Sequence, residues 1–186
     1  TRRSSDLYSN ELLDLVAKDG KAVGGYCTEF PEYKAPFIFS NFNGTSGDVD
    51  VLTHEAGHAF AYYTARDFEF SENISPTMES CECHSMSMEF LAWKWLNLFY
   101  GDDTDRAKYV HLGSALIFLP YGCMVDHFQH IVYDNPDLTP AERHAEWKKL
   151  EAIYRPYLNP GDVDFYALGR GWQRQLHIYH YPFYYI

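Results

Sequence analysis

The apolar positions of this chain follow a helical rhythm for most of its length, interrupted early by stretches that read as strands. Near the start, Leu7, Leu12, Leu13, Leu15 and Val16 form a broad apolar stripe that predicts a helix over residues 6–17. Gly20, Gly24 and Gly25 punctuate the next stretch, residues 26–30 predict a short strand, and residues 31–36 a turn bounded by prolines. Phe37-Ile38-Phe39-Ser40-Asn41-Phe42 is the densest aromatic and β-branched run and predicts the best strand. An exposed edge there could pair with an extended peptide backbone, although a small sheet that merely closes a core explains the run equally well.

Asn43-Gly44-Thr45-Ser46-Gly47 turns the chain into a helix expected over residues 48–65. After a polar loop to residue 73, Ser75-Pro76 reads as an N-cap and first turn, opening a second long helix to residue 100. A third helical region covers residues 104–133, with a kink expected at Pro120 and Gly122. Leu138-Thr139-Pro140 starts a fourth, to about residue 157, with Glu142, Glu146, Lys148 and Lys149 on its wet face. Pro160-Gly161 breaks it, and the last segment is aromatic and partly helical. The pattern predicts a mainly α fold with a small β element ahead of the helix at residue 48.

Composition narrows the setting. With 186 residues the chain is expected to form a single domain, 1–186, large enough to bury a core without staples. A net charge of −11 argues against nucleic acid as a partner, which requires a basic footprint. No apolar run reaches membrane-spanning length. Cys27, Cys81, Cys83 and Cys123 read as reduced, mostly buried thiols of a cytoplasmic protein. The 16 Tyr and 13 Phe suggest a ring-lined cleft or interface as well as a packed interior. The chain begins at Thr1 and stops at Ile186 inside an aromatic run, which reads as a piece of something longer.

The chemistry concentrates in His54-Glu55-Ala56-Gly57-His58. On a helix, positions i and i+4 share a face, so both imidazoles can meet one metal ion while Glu55 stands beside them as a general base. Zinc in a catalytic site takes three protein ligands and keeps a fourth position for water. The next helix offers Glu79, Glu82, His84 and Glu89, and spacing alone does not choose among them. Glu79 and Glu82 share a face at i, i+3, so that one could ligate and the other support it. His127 and His130 form a rival i, i+3 pair, read here as a partly buried structural pair, while His111 and His144 read as surface residues.

The stretch from Gly24-Gly25-Tyr26 through Phe39-Ser40-Asn41-Phe42, Gly44-Thr45 and Asp48-Val49 to His54-Glu55-Ala56-Gly57-His58-Ala59-Phe60 resembles the thimet oligopeptidase and oligoendopeptidase F family of zinc peptidases. The oligoendopeptidase F branch is the nearer likeness. The resemblance implies a helical, zincin-like catalytic core and a third ligand from a glutamate in a Glu-x-x-Ser context, which Glu82-Cys83-His84-Ser85 fits, with Met88-Glu89 next. Glu79 and Glu89 are then supporting groups. His177-Ile178-Tyr179-His180-Tyr181-Pro182-Phe183-Tyr184-Tyr185 is similar to the family's histidine-and-tyrosine segment. That likeness implies that His177 and either Tyr184 or Tyr185 steady the tetrahedral intermediate. Aromatic core packing is the plainer explanation of the run.

The implied activity is zinc-dependent hydrolysis of peptide bonds in short peptides, with His54, His58 and Glu82 on one zinc ion, and Glu55, His177 and a tyrosine catalytic. Family members are several hundred residues long, and the family's aromatic segment continues past the position of Ile186 with another tyrosine. The chain therefore reads as a catalytic core that is incomplete relative to the family. The alternative is a zinc-bearing peptide-interaction fragment with little turnover, and a metal-free helical domain is the third reading. A second copy of the chain or further chain segments would complete the cleft.

Overall fold

The computed structural model describes residues 2–184, with side chains from Asp6 onward. By its internal contacts the chain divides into two compact units, Thr1–Asp105 and Arg106–Ile186. The first carries a small sheet and the helices that come after it. The second is helical.

In the first unit, α1 (Arg2–Ser9) stops well short of the expected helix, and the chain continues as β1 (Leu13–Val16). The reason is a Schellman-type ending. The amide of Leu12 bonds back to the carbonyl of Leu7 at 2.9 Å and that of Glu11 to Tyr8 at 3.2 Å, while Glu11 takes a left-handed φ of 56°. Glutamate at the position where glycine usually ends a helix gives no warning of it in the sequence. The leucines beyond it enter the sheet.

Strands β2 (Tyr26–Phe30) and β3 (Ala35–Phe42) match the expected strands and pair antiparallel, Cys27 opposite Ile38. β1 runs parallel to β3, with Leu13 opposite Ile38, so the order is β1-β3-β2. Burial along β3 alternates, Pro36, Ile38 and Ser40 facing inward, as a strand with one covered face requires. β3 is therefore central and paired on both sides. The expectation that it could offer an edge to a peptide is corrected: the strongest β-former takes the most enclosed position.

α2 (Ser46–Ala65) begins two residues earlier than expected. The Asp48 carboxylate accepts from the amides of Gly44 (2.7 Å) and Asn43 (3.1 Å), tying the first turn of the helix to the end of β3. The second long helix does not form from Ser75. Residues 77–83 make successive tight turns, Ser80 amide to Thr77 carbonyl and Cys83 amide to Ser80 carbonyl, and the Ser80 hydroxyl also reaches the Thr77 carbonyl. Hydroxyl side chains competing for backbone groups disfavour a helix here. α3 (Cys83–Leu91) starts after Glu82, and α4 (Asn97–Tyr100) comes after a short 3₁₀ turn.

The second unit is built on α5 (Thr104–Asp134), which continues through Pro120, and α6 (Pro140–Tyr154). α6 opens with the expected Thr139-Pro140, reinforced by a reciprocal capping box with Glu142. It ends at Tyr154, before Pro156, rather than running on to residue 157. Short helices α7 (Asp164–Ala167) and α8 (Leu176–His180) complete the unit. Its core is Met124, Val125, Phe128, Trp147, Leu150, Trp172 and Ile178. Buried indoles need partners. Trp147 donates to Glu151 at 2.9 Å and Trp172 to His144 at 3.0 Å. No helix among the described residues is long and apolar enough to cross a membrane.

Candidate metal centre

Helical spacing puts His54 and His58 on one face of α2, their rings 5.1 Å apart. Glu82, at the residue before α3, meets both of them. Its Oε2 lies 2.9 Å from His54 Nε2 and 3.2 Å from His58 Nε2. One ligand atom from each of the three falls within 4.8 Å of the other two, the sole such trio among the described residues. With metal bonds of about 2.0–2.1 Å, the corners of a tetrahedral site stand about 3.3 Å apart, so these side chains fit a zinc-type ion with small adjustments.

The four acidic and histidine candidates of the 79–89 stretch take four different places. Glu79 is exposed and outside the cluster. Glu82 faces both histidines. Glu89 Oε1 lies 2.6 Å from His54 Nδ1, so it holds the far side of that ring. His84 Nε2 lies 2.8 Å from His58 Nδ1, on the side away from Glu82. Ser85, wholly buried, donates to Glu82 Oε2 at 2.7 Å.

Gly57 allows this approach. A Cβ on it would stand 2.6 Å from Ser85 Cα and 2.7 Å from the His84 carbonyl oxygen. Only a residue without a side chain lets α2 and α3 lie so close. The sequence carried the signal in the small residues Ala56, Gly57 and Ala59 around the second histidine, which mark a close helix contact.

Electrostatics derive from burial and crowding. Burial opposes a charge on His54, but its hydrogen bonds to Glu82 and Glu89 outweigh it and carry its pKa up to about 10. Burial pushes Glu55 above the usual carboxylate range, and the neighbouring histidines and the Cys27 amide only partly offset this. Glu55 is 7% exposed, and its Oε2 has no hydrogen-bond partner among the described residues. A buried oxygen of this kind calls for a donor, as a base serving a bound water would have. Burial, and then the nearby His58, hold His84 below the ordinary histidine value.

The remaining expected residues belong to other elements. His127 and His130 are exposed rather than partly buried: His127 meets the Tyr154 hydroxyl at 3.1 Å, and His130 pairs with Asp126 at 3.5 Å. Both lie outside the metal-capable group. His144 is not a surface residue but the acceptor for the Trp172 indole, and His111 is half-buried. None of the four cysteines is in a disulfide, but the expectation that most are buried is corrected: Cys83 and Cys123 are exposed and Cys27 and Cys81 half-buried. His177 lies on α8 in the second unit, its ring 6.0 Å from that of Tyr184, and burial lowers its pKa. Tyr185 lies outside the described residues.

Comparison with known proteins gives a consistent picture. The model of peptidase family M3 matches residues 2–186. An oligoendopeptidase F homologue of Mycoplasma genitalium is 29% identical over 85 residues, covering 45% of this chain and 14% of that protein. The structure of PZ peptidase A with an inhibitor superposes with a TM-score of 0.92 at 56% identity, covering 97% of this chain and 32% of the other. A provisionally named oligoendopeptidase F of Bacillus anthracis strain Ames gives 0.78 at 52% identity, covering 92% and 32%. The chain thus spans well under two thirds of the relatives it matches.

Proposed function

Because this chain belongs to peptidase family M3, we propose that it carries the catalytic core for zinc-dependent hydrolysis of peptide bonds in short peptides. The observation behind this reading is the meeting of His54, His58 and Glu82 at one point beside the buried carboxylate of Glu55. Those three side chains would hold the ion. When bound, zinc supplies a Lewis acid for the scissile carbonyl and acidifies its water.

The chain's own residues do the rest. Glu55 takes a proton at its carboxylate and returns it to the leaving amine, and a pKa raised by burial suits both halves of that task. Glu89 holds the far nitrogen of His54. The resemblance assigns His177, with Tyr184 or Tyr185, hydrogen-bond donation to the developing oxyanion, an effect worth about 3 kcal/mol of barrier. The second reading is a metal-bearing, peptide-binding protein with little or no turnover.

Cleavage of a quenched fluorescent peptide, measured before and after a chelator and after zinc is restored, separates the two. The Glu55→Gln variant is expected to bind one zinc per chain and to lose hydrolysis. Cleavage surviving in that variant overturns the base assignment, and no stoichiometric zinc in the unaltered chain overturns the metal reading.

A further inference from the structure

We propose that His84 is a positioning residue for His58: its Nε2 accepts the Nδ1 proton of His58 and so frees the opposite nitrogen for the ion. The inference rests on the metal reading above and adds a residue to it.

His58 Nε2 faces the Glu82 carboxylate at 3.2 Å, and His58 Nδ1 faces His84 Nε2 at 2.8 Å. Two neutral ring nitrogens this close share one proton, one donating and the other accepting. A ring that gives Nε2 to a metal must carry its proton on Nδ1. His84 Nε2 is then the acceptor, and the remaining proton of His84 sits on its own Nδ1. This arrangement also excludes His84 as a ligand, because its nearest nitrogen is committed to the far side of the His58 ring.

The two halves of the site are held differently. Glu89, a carboxylate, takes the Nδ1 side of His54. Glu55, Glu82 and Glu89 already crowd the centre, and a fourth carboxylate beside His58 would add like-charge repulsion. A neutral imidazole accepts the same proton without that cost. The backbone fixes its position: the His84 carbonyl oxygen lies 2.7 Å from where a Cβ on Gly57 would stand, a close approach that pins the start of α3 to α2 beside His58.

The test uses the full chain with zinc as the probe. Zinc affinity is measured by competition with a chromophoric chelator for the unaltered chain, His84→Leu and His84→Gln, alongside thermal unfolding of each metal-free protein. His84→Leu is expected to weaken zinc binding by about 10–100-fold. His84→Gln, which keeps an acceptor oxygen, should recover most of the loss. In the zinc-loaded unaltered chain, ¹⁵N NMR should find the His58 proton on Nδ1, protected from solvent, and His84 Nε2 bare. Undiminished affinity in a folded His84→Leu protein, or no rescue by glutamine, overturns the proposal. So does a His58 Nδ1 without its proton, a readout that needs no variant to fold. Failure of the unaltered chain to bind zinc overturns this inference and the metal reading together, whereas tight binding indifferent to His84 overturns this inference alone.

Discussion

Gly57 and Ser85 mark the point where α2 and α3 touch, for a Cβ on Gly57 would stand 2.6 Å from the Cα of Ser85. Gly57→Ala therefore has to push the two helices apart and carry His54 and His58 away from Glu82. Overpacking of this kind costs about 1–3 kcal/mol. Urea unfolding of the metal-free variant and zinc competition should both register the change. A variant as stable and as tight for zinc as the unaltered chain would show that the contact is slack.

Ser85 is wholly buried and donates to the Glu82 oxygen that faces both histidines. Ser85→Ala removes that donor and leaves the carboxylate freer to swing. The expected result is about a tenfold loss of zinc affinity, at the low end for a supporting hydrogen bond. Replacement with cysteine is expected to recover less than the native hydroxyl gives, because a thiol is a weak donor. Unchanged affinity in Ser85→Ala would remove the residue from the site.

Cys27 should be the slow thiol of this chain. Burial, and then the negative charges of Glu55 and Glu29, push its pKa up to about 12. The thiolate is the reactive form, so near pH 8 about one molecule in ten thousand is primed to react. Cys83 and Cys123 are exposed. Brief alkylation with iodoacetamide, read by mass spectrometry, should label those two and spare Cys27. Labelling of all three at one rate would contradict the burial of this strand.

His177 supplies a pH dependence of definite sign. Burial holds its folded-state pKa below the ordinary 6.5. As pH falls through 6.5 the unfolded chain takes up the proton first, so folding stability declines. The decline stops once pH passes below the folded value and both states are protonated. Above 6.5 the residue contributes no slope. An NMR titration should place the His177 midpoint under 6.5, and a midpoint at or above that value would reverse the argument.

The sequence disclosed what local chemistry controls. The β3 run, the helix expected over residues 48–65 and the Thr139-Pro140 start were legible because alternation, turn residues and caps lie within a few positions of one another. β1 was hidden because its leucines suit either period, and because glutamate holds the left-handed position that ends α1. The turns at residues 77–83 were hidden because Ser75-Pro76 begins a turn as readily as a helix. At the site, the i, i+4 histidines were visible from spacing. Spacing did not tell Glu82, Glu89 and His84 apart, and only the family resemblance picked out Glu82, since their places depend on how α3 lies against α2 at Gly57, a contact between segments some thirty residues apart.

Every side chain that meets at the candidate centre lies between His54 and Glu89 in the first unit, on α2, on α3 or at the residue just before α3. Chains are made from the amino end, and compact units fold as they emerge. The three donors can therefore gather while the ribosome is still adding the residues from Met124 onward that build the second unit's core. An ion held by these donors would need no ligand from the second unit.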